Sequence, residues 1–312
     1  MKLISIVTAC FNEEECIAEV YRQVKVVFDE LPQYEYEHLF IDNGSDDKTV
    51  AILKEIAKED KRVKLIVNTR NFGHIRSPVH GLLQAKGDAV ISIVADLQDP
   101  PSMIKDFLRE WEDGFKVVVG VKAETQETFL LGAVRRFYYY LVTTIANVKL
   151  IKNFTGFGLY DKVVMNAVRD INDPYPYFRG LICEIGYPVK TIEYVQPPRI
   201  RGFSKHNLYA LYDMAILGIT SHSKVPIRMA IFAGFGLSVV SFMLSFLFLV
   251  LKLFYWKEFT LGVAPILIGL FFFCSILLFF IGMLGEYVAA IHTQVQRRPL
   301  VFEKERVNFE SH

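Results

Sequence analysis

Asp96, Gln98 and Asp99 fall together in Ala95-Asp96-Leu97-Gln98-Asp99-Pro100-Pro101, directly after the apolar run 89–95. Carboxylate and amide oxygens are hard donors. A few of them at the end of a strand suit Mg2+ or Mn2+, which take oxygen ligands and complete their shells with water and substrate phosphates. Asp96 and Gln98 are the expected metal ligands. Asp99 has a second reading, because an aspartate followed by two prolines also caps a helix, here one over 101–113. That reading gives Asp96 nothing to do.

Three further polar clusters follow apolar runs: residues 8–14, then Asp42-Asn43-Gly44-Ser45-Asp46, then Thr69-Arg70-Asn71-Phe72-Gly73. The runs before them, 3–8, 38–42, 63–68 and 89–95, read as strands, with a fifth at 116–121. Helical patterns lie between them near 13–30, 47–59, 78–86 and 101–113. Asn12 with Glu15 resembles a capping box, and Ser77 before Pro78 resembles a helix start. Such alternation predicts βαβ units, an α/β class and a mainly parallel sheet. Ligands of open parallel sheets bind beyond the carboxyl ends of the strands. Four polar clusters at that one edge predict a binding site. No Gly-x-x-x-x-Gly-Lys loop and no Gly-x-Gly-x-x-Gly after a strand occurs, which argues against ATPase and dinucleotide chemistry.

Composition narrows the class further. The 312 residues carry 35 basic and 34 acidic side chains, a net charge of +1, so no global field marks a nucleic-acid binder. Cys10, Cys16, Cys183 and Cys274 lack CxxC spacing and read as reduced thiols of a cytoplasmic domain. His74, His80, His206, His222 and His292 show no metal-site spacing. The N-terminus leads straight into Asn12-Glu13-Glu14-Glu15 and reads as a buried first strand, not a secretory signal.

The charge-free runs 229–251 and 259–285 are each long enough, at about 1.5 Å per residue, to cross a hydrocarbon core about 30 Å thick. The predicted organisation is a catalytic domain over 1–206, an amphipathic juxtamembrane segment over 207–227, transmembrane helices over 228–253 and 259–286, and a tail over 287–312. Lys224, Arg228, Arg297, Arg298, Lys304 and Arg306 outside the spans outweigh Lys252, Lys257 and Glu258 in the link, which places both termini and the large domain in the cytoplasm. Residues 129–149, with Arg135 and Arg136, read either as a core helix or as one lying on lipid headgroups. Gly234, Gly236, Gly269 and Gly282 offer surfaces on which copies could pack as a homo-oligomer.

Val7-Thr8-Ala9-Cys10-Phe11-Asn12-Glu13-Glu14, Ile41-Asp42-Asn43-Gly44-Ser45-Asp46-Asp47-Lys48-Thr49 and Asp96-Leu97-Gln98-Asp99-Pro100-Pro101 resemble the family 2 glycosyltransferases. The likeness is to their polyprenyl-phosphate branch, the dolichyl-phosphate mannose synthases and bactoprenol (undecaprenyl-phosphate) glucosyltransferases. Arg70-Asn71-Phe72-Gly73, Arg179-Gly180-Leu181 and Gly202-Phe203-Ser204-Lys205 add to it. The resemblance implies a GT-A fold, Rossmann-like and mainly parallel, with a two-helix membrane hairpin. It implies a nucleotide-sugar held by Thr8, Phe11, Asn12, Glu14, Asp42, Asn71, Gly73 and Asp96, and a metal on Asp96 and Gln98. It implies a lipid phosphate met by Lys122, Arg135, Arg136, Arg199, Ser204 and Lys205, with Asp96, Lys122, Arg135 and Arg136 as the catalytic set. The implied reaction is inverting transfer of glucose from UDP-glucose to a polyprenyl phosphate. GDP-mannose or another nucleotide-sugar is the alternative donor, and a non-catalytic membrane scaffold is the alternative of another class. A processive polysaccharide synthase is disfavoured because Gln294-Val295-Gln296-Arg297-Arg298 lacks the tryptophan of a Gln-x-x-Arg-Trp signature.

The chain departs from the family pattern at Val94 and Gly156, where relatives often carry aspartate, and at Asn43, the second aspartate of Asp-Asp-Gly-Ser. A lipid monophosphate, with its second pKa near ~6, is already largely a dianion at neutral pH. It needs no protein base, and extra carboxylates would repel it. Positioning and charge stabilisation are then the expected work of the site.

Overall fold

The computed structural model describes residues 1–123, 151–197, 225–254 and 263–309. Strands β1 (Lys2–Cys10), β2 (Tyr34–Asp42), β3 (Val63–Asn68), β4 (Ala89–Val94) and β5 (Val117–Lys122) fall where the apolar runs place them. Helices α1 (Ile17–Asp29), α2 (Thr49–Glu59), α3 (Gly73–Gln84) and α4 (Ile104–Glu112) intervene. Each helix buries one stripe. In α1 it is Ile17, Val20, Val24, Val27 and Phe28; in α4 it is Ile104, Phe107, Leu108 and Trp111. This three- and four-residue spacing is that of a helix lying on a core.

Among the described residues there is one eight-stranded sheet, in the order β7-β5-β6-β4-β1-β2-β3-β8. β6 (Phe154–Asp161), β7 (Val189–Tyr194) and β8 (Glu303–Val307) complete it, and α5 (Lys162–Ile171) and α6 (Phe178–Ile185) follow β6. The sheet is mixed, not mainly parallel. β1 pairs parallel with β2 and β4, β2 with β3, and β5 with β7. β6 runs antiparallel to both β4 and β5, and β8 antiparallel to β3. Apolar layers cover both faces. One gathers Ile4, Ile6, Val24, Phe107 and Phe157; the other gathers Val7, Ile41, Leu82, Tyr160 and Ile182. The chain leaves β1 towards β2 and β3, then returns to place β4 on the other side of β1. The crevice at the carboxyl ends of β1 and β4 is therefore the topological switch point, where open α/β sheets bind ligands.

Two helix starts differ from the sequence reading. The Asn12–Glu15 capping box does not form: Cys16 is the N-cap of α1, and the Asn12 side chain turns to the neighbouring loop. α3 begins at Gly73, so Pro78 lies inside it and Ser77 is no cap. The buried Ser77 hydroxyl instead accepts a hydrogen bond from Asn68 Nδ2 (3.0 Å).

Two long apolar helices follow, α7 (Val225–Phe254) and α8 (Val263–Gln296). One described stretch, Phe272–Gln296 of α8, is long and apolar enough to cross a membrane by length and composition, with mean hydropathy 2.0. The apolar stretch in α7, Met229–Leu244, is shorter. Residues 287–312, expected as a tail, do more than trail: 303–307 form β8 and extend the sheet beyond β3.

Candidate active site

The loops after β1 and β2 are laced together. Asn12, in the left-handed region at φ 56°, donates its N–H to Ser45 Oγ (2.9 Å), and its Oδ1 accepts from Asp46 N–H (2.9 Å). Glu13 N–H donates to Thr49 Oγ1 (2.9 Å) and Glu14 N–H to Asp47 Oδ2 (3.1 Å), while Glu14 Oε2 accepts from Lys48 N–H (3.0 Å). Asp42 is fully buried. Its Oδ2 accepts from the N–H groups of Gly44 and Ser45 (3.0 Å each), and its Oδ1 from the Ser45 hydroxyl. Asn12, Glu14 and Asp42, expected at a nucleotide, thus first build the shape of the cradle. Phe11 is half-buried at its head.

The third loop closes on the second through Asn43. Its Oδ1 accepts from Phe72 N–H (2.9 Å) and Asn68 Nδ2 (3.4 Å), and its Nδ2 donates to Asn71 Oδ1 (3.0 Å) and Gly73 O (3.2 Å). Asn71 Oδ1 also accepts from Gly73 N–H (2.8 Å). Asn71 and Gly73, expected at the nucleotide, therefore hold the loop. An amide is required at Asn43, because Gly73 O can only accept. Asn43→Asp sets a carboxylate against that carbonyl and should cost about 1–3 kcal/mol. A fall in Tm of several degrees in thermal unfolding, at about 2–4 °C per kcal/mol, is the expected reading.

Thr8 lies elsewhere than expected. Its side chain is fully buried, with Oγ1 3.0 Å from His38 Nε2, so it faces the sheet interior and offers a ligand no hydroxyl. The His38 ring stacks on Phe40 at 3.9 Å, and its Nδ1 is buried without a partner. Burial lowers the His38 pKa to about 3. The folded value lies below the unfolded one, so the unfolded chain takes up the proton first and stability falls as pH drops from about 6.5 towards 3. By pH 5 the loss should reach about 2 kcal/mol. Urea melts in detergent at pH 7 and 5 should show a steeper loss for the wild type than for His38→Gln; parallel curves would exclude it.

At the fourth strand end Asp96 is 8% exposed, and its Oδ1 accepts the Gln98 N–H (3.1 Å) across Leu97, which sits at φ 60°. The turn brings the Asp96 carboxylate and the half-buried Gln98 side chain to one bend. Asp99 is not a helix cap. The turn Pro101–Met103 and α4 begin without a side-chain cap, and Asp99 accepts from the Tyr194 hydroxyl (2.8 Å) and Val94 N–H (3.4 Å). Burial raises the Asp99 pKa to about 6, opposed by the Tyr194 hydrogen bond and the Lys122 charge. Because the raised Asp99 value acts in the opposite sense to His38, the comparison with His38→Gln isolates the histidine.

Lys122 ends β5, half-buried. Burial lowers its pKa; Asp99 and Asp96 pull the value up, and Arg179 pushes it down. Asp96, Asp99, Lys122 and Arg179 therefore share one electrostatic neighbourhood. Arg179, from α6, is held by a hydrogen bond from Nη1 to Phe154 O (3.2 Å). A cavity of about 160 Å³ lies here at the switch point, between β1, β4, β6 and α3, lined by Val7, Ala9, Val94, Asp99, Thr155 and Gly156. Val94 is 43% exposed, and a side chain at Gly156 would project into open space. The two positions where the family pattern often has aspartate thus leave this cavity without those charges.

Among the described residues no group of three or more His, Cys, Asp or Glu side chains could hold a metal ion by itself. Asp96 and Gln98 fit a hard cation whose other ligands are phosphate oxygens and water. Arg135, Arg136, Arg199, Ser204 and Lys205 lie outside the described residues. Sequence reasoning missed Tyr194 as the partner of Asp99 and the knotting role of Asn43, since both depend on pairs far apart in the chain.

Residues 5–169 match the family model described as Glycosyl transferase family 2. The chain is 33% identical over 308 residues to an uncharacterized glycosyltransferase, YkcC, of Bacillus subtilis (strain 168), covering 98% of this chain and 95% of that one. It is 32% identical over 297 residues to the bactoprenol glucosyl transferase of Shigella phage SfII, covering 95% and 96%. Among solved structures, glucosyl-3-phosphoglycerate synthase from Mycobacterium tuberculosis, in complex with Mn2+, uridine-diphosphate and glucosyl-3-phosphoglycerate, aligns with a TM-score of 0.47 at 18% identity, over 70% of this chain and 78% of that one. The family match covers more than half of the chain and the relatives span nearly all of it, so this chain belongs to glycosyl transferase family 2.

Proposed function

We propose that the protein is a membrane-anchored, inverting transferase with a GT-A catalytic domain that moves glucose from UDP-glucose onto the phosphate of a polyprenyl phosphate such as undecaprenyl phosphate. The observation that carries the reading is the switch-point cavity lined by Asp99, with the Asp96–Gln98 bend beside it and the Lys122 and Arg179 charges in the same electrostatic neighbourhood. The oxygen donors suit a nucleotide diphosphate with its cation, and the two basic side chains suit an anionic acceptor. Near-full-length similarity to a protein named bactoprenol glucosyl transferase supports the acceptor and the sugar. α7 and α8 are read as a two-span hairpin, with both termini and the catalytic domain in the cytoplasm.

The reaction joins an acceptor phosphate oxygen to the sugar C1 while the C1–O bond to the diphosphate breaks, with inversion. The acceptor dianion attacks without losing a proton. The laced loops hold the nucleotide, and Lys122 and Arg179 offset repulsion between the two anions. Mg2+ or Mn2+ bound at Asp96 and Gln98 would neutralise charge on the departing UDP. Arg135, Arg136, Arg199, Ser204 and Lys205 are assigned to the lipid phosphate on motif alone.

A screen of radiolabelled nucleotide-sugars against a short-chain polyprenyl phosphate tests this. Label from UDP-glucose should enter the organic-extractable product, with UDP release that requires both the divalent cation and the acceptor. Transfer from GDP-mannose alone would replace the donor assignment. UDP release indifferent to the acceptor would overturn the acceptor.

A further inference from the structure

The chain returns from the end of α8 to the rim of the site. Gln294 Nε2 donates to Asp173 Oδ1 (2.8 Å), and Arg297, at φ 46°, turns the backbone. The Arg76 guanidinium then donates to Pro299 O. Val301 is buried, and Phe302 O accepts from Thr69 N–H (2.9 Å) and Thr69 Oγ1 (3.1 Å). The Phe302 ring lies 6.1 Å from Phe72, on which Arg70 also stacks at 4.1 Å. From Glu303 the chain pairs with β3, and the register slips between Val67 and Asn68, where β3 hands over to the 69–73 loop. Beyond, His80 meets Glu303 (2.6 Å), Lys54 meets Glu305 (2.6 Å), and Asn308 Nδ2 donates to Ala57 O (2.6 Å) and Val63 O (2.8 Å). None of this serves a free tail. The strand Glu-Lys-Glu-Arg-Val carries the charges of a protected sheet edge.

Thr69 and Phe72, gripped by Phe302, belong to the loop that knots Asn43. Phe72 N–H donates to Asn43 Oδ1, and Asn71 and Gly73 accept from Asn43 Nδ2. We propose that Phe302, with the backbone from Pro299 to Glu303, is a positioning element that sets the 69–73 loop and through it Asn43, tying the end of α8 to the nucleotide side of the site. The mechanical link stands on the Thr69 hydrogen bonds to Phe302 O and on the contact of the Phe302 ring with Phe72; its effect on the donor rests on the function proposed above. The physical basis is backbone pairing. A loop tethered by Thr69 to a docked strand samples fewer conformations, so less ordering is left to be supplied when a ligand binds.

The test uses the full chain in detergent or nanodiscs. In Phe302→Ala, amide exchange at Phe72 and Gly73 should quicken several-fold. The KM for UDP-glucose should rise about 3- to 10-fold, the span expected for loss of one aromatic pair, here the Phe302 ring on Phe72, with kcat and the acceptor KM little changed. Phe302→Tyr should restore both. Asn308→Ala, which loosens the far end of β8, should lower Tm and leave exchange at Phe72 unmoved. A chain ending at Arg298 should show the same loop exposure as Phe302→Ala, and a peptide of residues 299–309 should reverse it. Unchanged exchange at Phe72 in both Phe302→Ala and the shortened chain would overturn the link. Quickened exchange with an unaltered donor KM would overturn positioning of the donor. Absence of nucleotide-sugar turnover in the wild type would defeat the proposed function, while the exchange arm would still decide the link.

Discussion

Asp96→Ala should lower UDP release from UDP-glucose, with Mn2+ and polyprenyl phosphate present, by about 10²–10³-fold, while Tm moves by no more than a few degrees. The activity loss follows from charge. Asp96 is the carboxylate of the Asp96–Gln98 bend, and Gln98 contributes a neutral amide. Removing it leaves a hard cation one uncharged protein ligand, and loss of a charge aimed at the reacting centre typically costs 10²–10³ or more. The modest stability change follows from structure, since Asp96 accepts a local hydrogen bond, from the N–H of Gln98 two residues on, in the turn after β4. Asp96→Asn separates the two roles. Its amide oxygen still accepts from Gln98 N–H, so the turn stays, but the charge is gone and turnover should fall nearly as far. Turnover above a tenth of wild type in either variant would sink the assignment. Asp99→Asn is the contrast: Asp99 is tied to Tyr194 and Val94, so its loss should register in both Tm and rate.

The parts of this molecule legible in the sequence are those governed by local pattern. β1 to β5 are apolar runs bounded by turn residues, and all appear within a few residues of the expected positions. The four polar clusters were legible because each directly follows such a run. The rest depends on partners distant in the chain. β6 reads Phe-Thr-Gly-Phe-Gly-Leu-Tyr-Asp, in which glycines interrupt the alternation, and it becomes a strand by pairing with β4 and β5 on both sides. β8 reads as a solvated tail because its side chains are charged; only the open edge of β3 makes it a strand. The family resemblance implies Thr8 at the nucleotide, but strand alternation sends Val7 and Ala9 to the cavity and Thr8 to His38. Ser77-Pro78 looked like a helix start because proline suits a first turn. Gly73 begins the helix earlier, and Ser77 finds its partner in Asn68.

Gly44→Ala should be the most damaging single methyl in the cradle. Gly44 sits at φ +79°, and a Cβ there would lie 2.7 Å from the Arg70 carbonyl carbon, 2.9 Å from Arg70 Cα and 3.0 Å from Asn71 N. All three are backbone atoms, so no rotamer change makes room. The left-handed conformation itself costs an alanine about 1–2 kcal/mol. Relieving the overlap means parting the 42–46 and 69–73 loops, which strains the four hydrogen bonds of Asn43, each worth about 0.5–1.5 kcal/mol net. Together the loss should reach about 3–5 kcal/mol, in the range reserved for substitutions with an identifiable structural fault. At about 2–4 °C per kcal/mol, Tm should fall by about 10 °C. Gly114→Ala supplies the control, since Gly114 is also left-handed, at φ +104°, but has nothing within 4 Å of its Cβ position. It should carry the conformational cost alone and leave the KM for UDP-glucose untouched, whereas Gly44→Ala, by displacing the 42–46 and 69–73 loops, should raise that KM if the proposed nucleotide site is right. Equal Tm losses in the two variants, with equal donor KM, would mean that the two loops are not pressed together and that the cradle is held by something other than their contact.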